Sequence, residues 1–173
     1  MKTLPRIIII CLSAFLLTAC GASKSSTKTP AEPEKEYADP VGPDVMKDKY
    51  VDAVLRMEPG SAGSSLKEAK VACEVLQFAA DHNFVNMNRD QTAADLQSAL
   101  DGLGEEDRKT FAENEKRVNE VILQSTSAED FGEFKGVYED AGVYDDMVTV
   151  AGNETALGSW QVLHDITAQV VGQ

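Results

Sequence analysis

The apolar residues of this chain follow two different patterns. Ile7 to Leu17 form an uncharged run that is apolar except for Ser13, whereas from Asp44 onward apolar residues recur about every three or four positions. Met46, Tyr50 and Met57 illustrate the second pattern, because their spacing places them on one face of a helix. The chain therefore divides into an apolar start, a polar middle and a long amphipathic part.

The helical periodicity of residues 44–173 predicts an all-α fold, a bundle of six or seven short helices. Pro59-Gly60, a polar turn over 83–90 and the glycines at 102, 104 and 142 are expected to separate the helices. The segment from Leu66 to Ala80 has the widest apolar face. We interpret it as the central helix of the core and predict that the Cys73 thiol, on its apolar face, is buried in the core.

Three local assignments complete the helical prediction. Thr126 or Ser127 is expected to cap a fifth helix. Tyr144 to Ala151 could alternate as a strand, but a short helix that begins at Asp145 fits its surroundings better. Asn153 is expected to cap the last helix, whose predicted inner face consists of Ala156, Trp160, Leu163, Thr167 and Val170.

Residues 1–19 have the organisation of a secretory signal peptide. Lys2 and Arg6 give it a positive start, and the apolar run that follows is too short to cross a hydrocarbon core about 30 Å thick as a helix. The run leads into Leu17-Thr18-Ala19-Cys20, which resembles the lipobox of bacterial lipoproteins. The alternatives are an ordinary secretory signal with an incidental cysteine and an uncleaved membrane anchor.

The resemblance implies that Cys20 is the lipidation site and the first residue of the mature chain. In that family the cysteine thiol receives a diacylglycerol, the signal is cut before the cysteine, and the new amino terminus is usually acylated. Several acyl chains make detachment from a membrane very slow, whereas one chain binds only marginally. Since Gly21 rather than an aspartate follows, the resemblance implies the outer membrane, facing the periplasm, in a two-membrane cell. In other cells it implies the outer face of the plasma membrane.

Residues 20–43 are predicted to form the lipidated cysteine and a flexible tether rich in Pro, Ser and Glu. Pro30, Pro33, Pro40 and Pro43 forbid a continuous helix, and the segment has little apolar surface to bury. Such a segment spans roughly 25 Å as a coil and about 70 Å when it is stretched. The tether would hold the helical domain, residues 44–173, away from the bilayer.

The charge of the chain limits the classes of partner. Removal of Lys2 and Arg6 with the signal changes the formal net charge from −13 to −15. This acidity argues against nucleic acid, which requires clustered cations, and against an anionic lipid surface as a second docking site. The expected partners are therefore the membrane, through the lipid on Cys20, and another protein.

No catalytic, metal-binding or cofactor-binding motif is found in the sequence, so we predict that the protein is not an enzyme and needs no cofactor. Cys73 is the only thiol left after cleavage and lipidation, which excludes an intrachain disulfide. We interpret His82 as a residue at a helix end and His164 as a residue at the edge of an apolar stripe. The alternative for these histidines is a zinc site completed by a carboxylate.

The acidic residues are concentrated near the end of the chain. Between Ala128 and Asp165 only Lys135 is basic, and the formal net charge is −8. The acids are Glu129, Asp130, Glu133, Glu139, Asp140, Asp145, Asp146, Glu154 and Asp165. This region is either a solvated face or a docking surface for a basic partner.

Two functions follow from these observations. The first is a lipid-anchored cell-envelope lipoprotein whose acidic helical domain binds or scaffolds another protein, for example as an immunity or accessory protein. The alternative is a lipid-anchored hydrolase that acts on cell wall or carbohydrate. A hydrolase would need converging carboxylates or a histidine-centred site in a cleft.

Overall fold

A computed structural model of the protein describes residues 37–60 and 64–172. The lipobox, Cys20 and the predicted tether as far as residue 36 lie outside these residues. Within the described residues the fold consists of seven helices and contains no strand, which confirms the predicted all-α bundle of short helices.

The first helix, α1, covers residues 43–55. It passes from an α-helical turn, Pro43–Val45, through a π-helix, Met46–Val51, to an α-helical end, Asp52–Leu55. The remaining helices are α2 (Ser64–His82), α3 (Arg89–Asp101), α4 (Glu105–Thr126), α5 (Lys135–Ala141), α6 (Tyr144–Ala151) and α7 (Glu154–Val171). Two 3-10 segments, Phe84–Asn86 and Glu129–Phe134, lie between helices.

The chain contacts the helical domain before α1 begins. The Ala38 amide donates a hydrogen bond of 2.9 Å to the Asn86 carbonyl, and the Gly42 amide donates one of 3.2 Å to the Asp95 carboxylate. Both donors lie before Asp44, where the sequence predicts the start of the domain. The segment that leads into α1 is therefore hydrogen-bonded to the domain through two backbone amides.

The π-helix of α1 buries one residue more than an α-helical stripe would. Met46 and Tyr50 belong to the predicted apolar face and are buried, but so is Val51, which an α-helix would direct elsewhere. In a π-helix the backbone hydrogen bonds join residues five apart and each turn holds more residues, so Val51 joins Met46 and Tyr50 on the buried face. Beyond α1, the Asn114 side-chain amide donates hydrogen bonds to the Val54 and Met57 carbonyls, at 3.0 and 3.1 Å.

Helix α2 is the centre of the core, as its wide apolar face predicts. It packs against α1, α4, α5, α6 and α7. Its small side chains, such as Ala72 and Ala79, are fully buried and let neighbouring helices approach closely. Cys73 is also buried, as predicted, and burial together with the charges of Asp146 and Glu74 raises the pKa of its thiol to about 11.

The end of the chain folds largely as its local signals indicate. Tyr144–Ala151 is a helix rather than a strand. The Asn153 side chain caps α7 by accepting hydrogen bonds from the amides of Thr155 and Ala156, at 2.9 and 3.2 Å. Trp160 is only 5% exposed, in agreement with its predicted place on the inner face of α7.

One predicted helix start is wrong. Neither Thr126 nor Ser127 caps a fifth helix: Thr126 is the last residue of α4 and Ser127 is its C-cap. Their hydroxyls donate backward, to the Ile122 carbonyl at 2.7 Å and to the Leu123 carbonyl at 2.5 Å. Threonine can make this bond one turn back instead of capping forward. A kinked segment follows, in which Asp130, Phe131 and Gly132 all have positive φ, and α5 begins only at Lys135.

Candidate functional site

The acids between residues 128 and 165 are all exposed in the structure. Two of them are paired: Asp130 with Lys135, and Asp165 with Arg89 at 3.5 Å. The other seven form no ion pair with any described residue. Their charge is therefore available to an external partner.

Helices α5 and α6 direct several of these acids outward because their opposite faces are buried. In α5, Tyr138 is fully buried, which leaves Glu139 on the solvent side. In α6, Met147 and Val150 point into the core, so Asp145 and Asp146 face solvent. Glu139, Asp145 and Asp146 line a depression of about 430 Å³ together with Gly142 and Tyr144. We call these three carboxylates the acidic rim.

A second, shallow depression lies directly beside the acidic rim and shares Tyr144 with it; polar and apolar groups contribute about equally to its lining. Its volume is about 320 Å³, and its apolar lining includes Phe131, Val148 and Ala151. Val148 is 45% exposed, although it is a branched aliphatic residue. We call this depression the apolar pit; its full lining is Thr126, Ala128, Asp130, Phe131, Tyr144, Val148, Ala151 and Gly152.

Aromatic contacts and the kinked segment hold the wall of the apolar pit in place. The positive φ values at Asp130 and Phe131 turn the Phe131 ring inward, where it packs edge-on against Tyr138 and Tyr144 at centroid distances of 5.5 and 5.9 Å. The Tyr144 hydroxyl donates a 2.7 Å hydrogen bond to Asp130. Tyr144 is thus fixed at both its ring and its hydroxyl.

The one cation of this region is committed to its own neighbours. Lys135 pairs with Asp130, and its Nζ lies 5.3 Å from the centre of the Tyr144 ring. The hydrogen bond from Lys135, assisted by the one from Tyr144, lowers the pKa of the Asp130 carboxyl, and the same pair raises the pKa of Lys135. Lys135 therefore neutralises Asp130 and leaves the charge of the acidic rim uncompensated.

A second polar arrangement lies in the core between α1, α4 and α7. Glu115 is only 3% exposed, and its Oε1 lies 2.8 Å from His164 Nδ1. The same oxygen accepts a 3.4 Å hydrogen bond from the Tyr50 hydroxyl, which also lies 3.1 Å from Thr167 Oγ1. These four residues join three helices through one buried hydrogen-bonded cluster, which we call the Glu115 cluster.

The Glu115 cluster changes the acid–base properties of its members. The hydrogen bond between His164 and Glu115, and the charge of the Glu115 carboxylate, raise the pKa of His164. Burial, together with the Glu115 charge, raises the pKa of Tyr50 well above its usual value. Glu115 Oε2 is buried and has no hydrogen-bond partner within the described part of the chain. The burial of this carboxylate favours a role in holding helices together over contact with a substrate from solvent.

The structure does not bring the two histidines together in a zinc site. His82 is the last residue of α2, as the sequence predicts, and its ring lies 4.7 Å from that of Phe78. His164 instead stacks on Trp160 and contacts Glu115. Across residues 37–60 and 64–172 no group of three or more His, Cys, Asp or Glu is placed to hold a metal ion.

No protein-family model matches the chain, and no curated protein and no solved structure matches it either. Among the described helices none is long and apolar enough to cross a membrane.

Proposed function

We propose that the protein is a lipid-anchored cell-envelope lipoprotein whose helical domain binds another protein that presents a basic surface. The lipid anchor rests on the lipobox resemblance at Cys20, which lies outside the described residues. The observation that supports binding is the set of seven exposed carboxylates between residues 128 and 165 that lack an ion-pair partner.

Uncompensated charge on one region acts over distance. Its field attracts a basic protein before contact and orients the encounter, and this effect weakens as salt is added. The lipid keeps the domain at the membrane surface, so the partner would be a protein of the same envelope compartment. An inhibitory or accessory role toward a basic enzyme falls within this proposal.

Affinity isolation from detergent-solubilised envelope tests the proposal. The bait is the full-length lipidated protein, and the test variant carries Asp145→Asn and Asp146→Asn. A matched control carries Asp48→Asn and Asp52→Asn, two exposed acids of α1, a helix that packs on α2, α3 and α4. Circular dichroism of all three proteins checks that the fold is retained.

We expect one protein in stoichiometric amount with the wild type and the α1 control. Its recovery should fall about tenfold or more with the α6 variant, because charge pairs steer and stabilise such complexes. Added salt should release it. Equal recovery by both variants, or no stoichiometric protein with any of them, would overturn the proposed function.

A further inference from the structure

We infer that the apolar pit and the acidic rim form one docking surface, which takes a basic segment carrying a single apolar anchor side chain. This inference rests on the proposed function and specifies its partner. The two depressions meet at Tyr144, which lines both of them. A ligand that fills the pit therefore lies next to the rim.

The small size of the pit allows a side chain to enter but not a broad apolar surface. Its volume of about 320 Å³ is at the small end of ligand pockets. Protein interfaces commonly concentrate their affinity in such a place, with an apolar anchor in a pocket and polar groups around it. Val148 supplies the exposed apolar surface of the pit, and Phe131 and Tyr144 supply its aromatic wall.

The charges beside the pit determine which residues should flank the anchor side chain in the bound segment. Glu139, Asp145 and Asp146 have no ion-pair partner among the described residues, whereas Lys135 is already paired with Asp130. Asp145 and Val148 also lie three residues apart on α6, so a carboxylate and the apolar surface share one side of that helix. An anchor seated in the pit would thus have carboxylates within reach of lysine or arginine neighbours.

The pit is also formed in advance of binding. The Tyr144 hydroxyl is held by Asp130 at 2.7 Å, and the Phe131 ring is held between Tyr138 and Tyr144. Because these side chains are already held in place, little conformational entropy would be lost when an anchor side chain binds. More of the free energy gained from apolar contact would then contribute to affinity.

Three synthetic peptides can test this docking surface against the mature lipidated protein in zwitterionic nanodiscs. The first is Lys-Lys-Gly-Leu-Gly-Lys-Lys, the second has glycine in place of leucine, and the third has glutamate in place of every lysine. Affinities are measured by titration calorimetry at low and at high salt. The protein variants are Val148→Gln in the pit and Val85→Gln as a matched control, since Val85 is similarly exposed but lies outside both linings.

The leucine peptide should bind about tenfold or more tightly than the glycine peptide, because an apolar side chain leaves water. This ratio should persist at high salt, although both lysine peptides bind more weakly there. Val148→Gln should remove most of the ratio and Val85→Gln should leave it intact. The glutamate peptide should not bind.

Each contrary outcome has a distinct meaning. Equal, salt-sensitive binding of the leucine and glycine peptides would overturn the pit as an anchor site and leave the proposed acidic binding function standing. A leucine preference that survives Val148→Gln would also overturn this inference, because it places the anchor elsewhere. Failure of both lysine peptides to bind even at low salt would overturn the docking surface and count against the proposed function as well.

Discussion

Replacement of His164 by alanine tests the Glu115 cluster, which links three helices. In the wild type, Glu115 Oε1 contacts His164 Nδ1 at 2.8 Å and the Tyr50 hydroxyl at 3.4 Å, while Oε2 has no described partner. His164→Ala removes the shorter contact and leaves a carboxylate in the core with one long hydrogen bond. Removing one partner of a buried ion pair costs about 3–5 kcal/mol.

The expected loss lies near the lower end of this range. The His164 side chain is 20% exposed, so water can approach the vacated space and solvate part of the charge. We therefore expect His164→Ala to lower the free energy of unfolding by about 3 kcal/mol. This is a large part of the roughly 5–15 kcal/mol that stabilises an ordinary domain.

The assay is urea unfolding of the mature lipidated protein in mild detergent, followed by far-UV circular dichroism. Tryptophan fluorescence is a poor choice here, because the Trp160 ring stacks on His164 at a centroid distance of 6.3 Å and would report the substitution itself. Asp165→Asn is the matched control on the same helix. It breaks an exposed 3.5 Å pair with Arg89 and should cost no more than about 0.5 kcal/mol.

The double variant Glu115→Gln with His164→Ala separates charge from packing. Once the carboxylate is gone, the loss of His164 should cost about 1–2 kcal/mol less than it does alone. Additive costs, or a His164→Ala cost as small as that of Asp165→Asn, would show that the pair does not support the core.

We also expect the stability lost in His164→Ala to depend on pH. Because the folded state raises the His164 pKa, protonated His164 contributes its full stabilisation below the unfolded value of about 6.5. That contribution is lost as pH rises through the folded-state pKa. The free energy of unfolding that His164→Ala loses relative to the wild type should thus be largest in mildly acidic solution and shrink toward alkaline pH. His164→Asn also removes the titrating group, so its deficit should follow the same trend with pH and differ only by a constant offset. A deficit that does not change with pH in either variant would contradict the assignment.

Four further predictions concern other parts of the chain. Gly132→Ala should cost about 1–3 kcal/mol in urea unfolding, since a φ of +54° with a ψ of −126° suits glycine and the added Cβ would lie 3.0 Å from the Ala128 Cβ; unchanged stability would contradict this strain. Trp160→Ala should cost roughly 3–5 kcal/mol, and solvent-like, freely quenched native fluorescence would show that the residue is not packed. The Cys73 thiol should react slowly with a thiol reagent in the native protein and quickly in urea, and a Cys73-dependent disulfide dimer would refute its burial. Cys20→Ala should abolish fatty-acid labelling and leave an unprocessed precursor, and unchanged labelling would refute the lipobox.

The helices that the sequence predicts well are those whose ends are marked by local chemistry. Asn153 accepts two hydrogen bonds from the first turn of α7, and Gly142 ends α5 in the left-handed conformation. Both signals act within a few residues, so they can be recognised in the sequence without knowledge of tertiary contacts. The start of α5 was missed because the Thr126 hydroxyl bonds backward and the positive φ at Asp130 and Phe131 depends on packing around the Phe131 ring.

The candidate sites were only partly predictable. The acidic region is visible in composition, since it depends on residues close together in the sequence. Glu115 could have been noticed, because it interrupts the apolar face of α4 between Phe111 and Val118, and a charge on such a face needs a partner. That the partner is His164 could not be predicted, because 49 residues separate the two and only the tertiary fold brings their side chains together.

The apolar pit was not predictable either. Val148 is one of several exposed aliphatic residues, and sequence alone does not distinguish a scattered residue from one beside a depression. The kinked segment brings Phe131 next to Tyr144 of α6, so that Phe131 and Val148 line the same depression. This arrangement depends on a backbone conformation that has no local signal.

Photo-crosslinking in living cells tests the central claim, that the acidic region docks a basic protein, most directly. A photoreactive amino acid replaces Val148 in the pit, or Val85 as the control, in the full-length lipidated chain with and without Asp145→Asn and Asp146→Asn. We expect one dominant cross-linked protein with a basic surface from position 148, absent from position 85 and strongly reduced when the two carboxylates are neutralised. An identical cross-link pattern from both positions, unaffected by loss of the carboxylates, would contradict it.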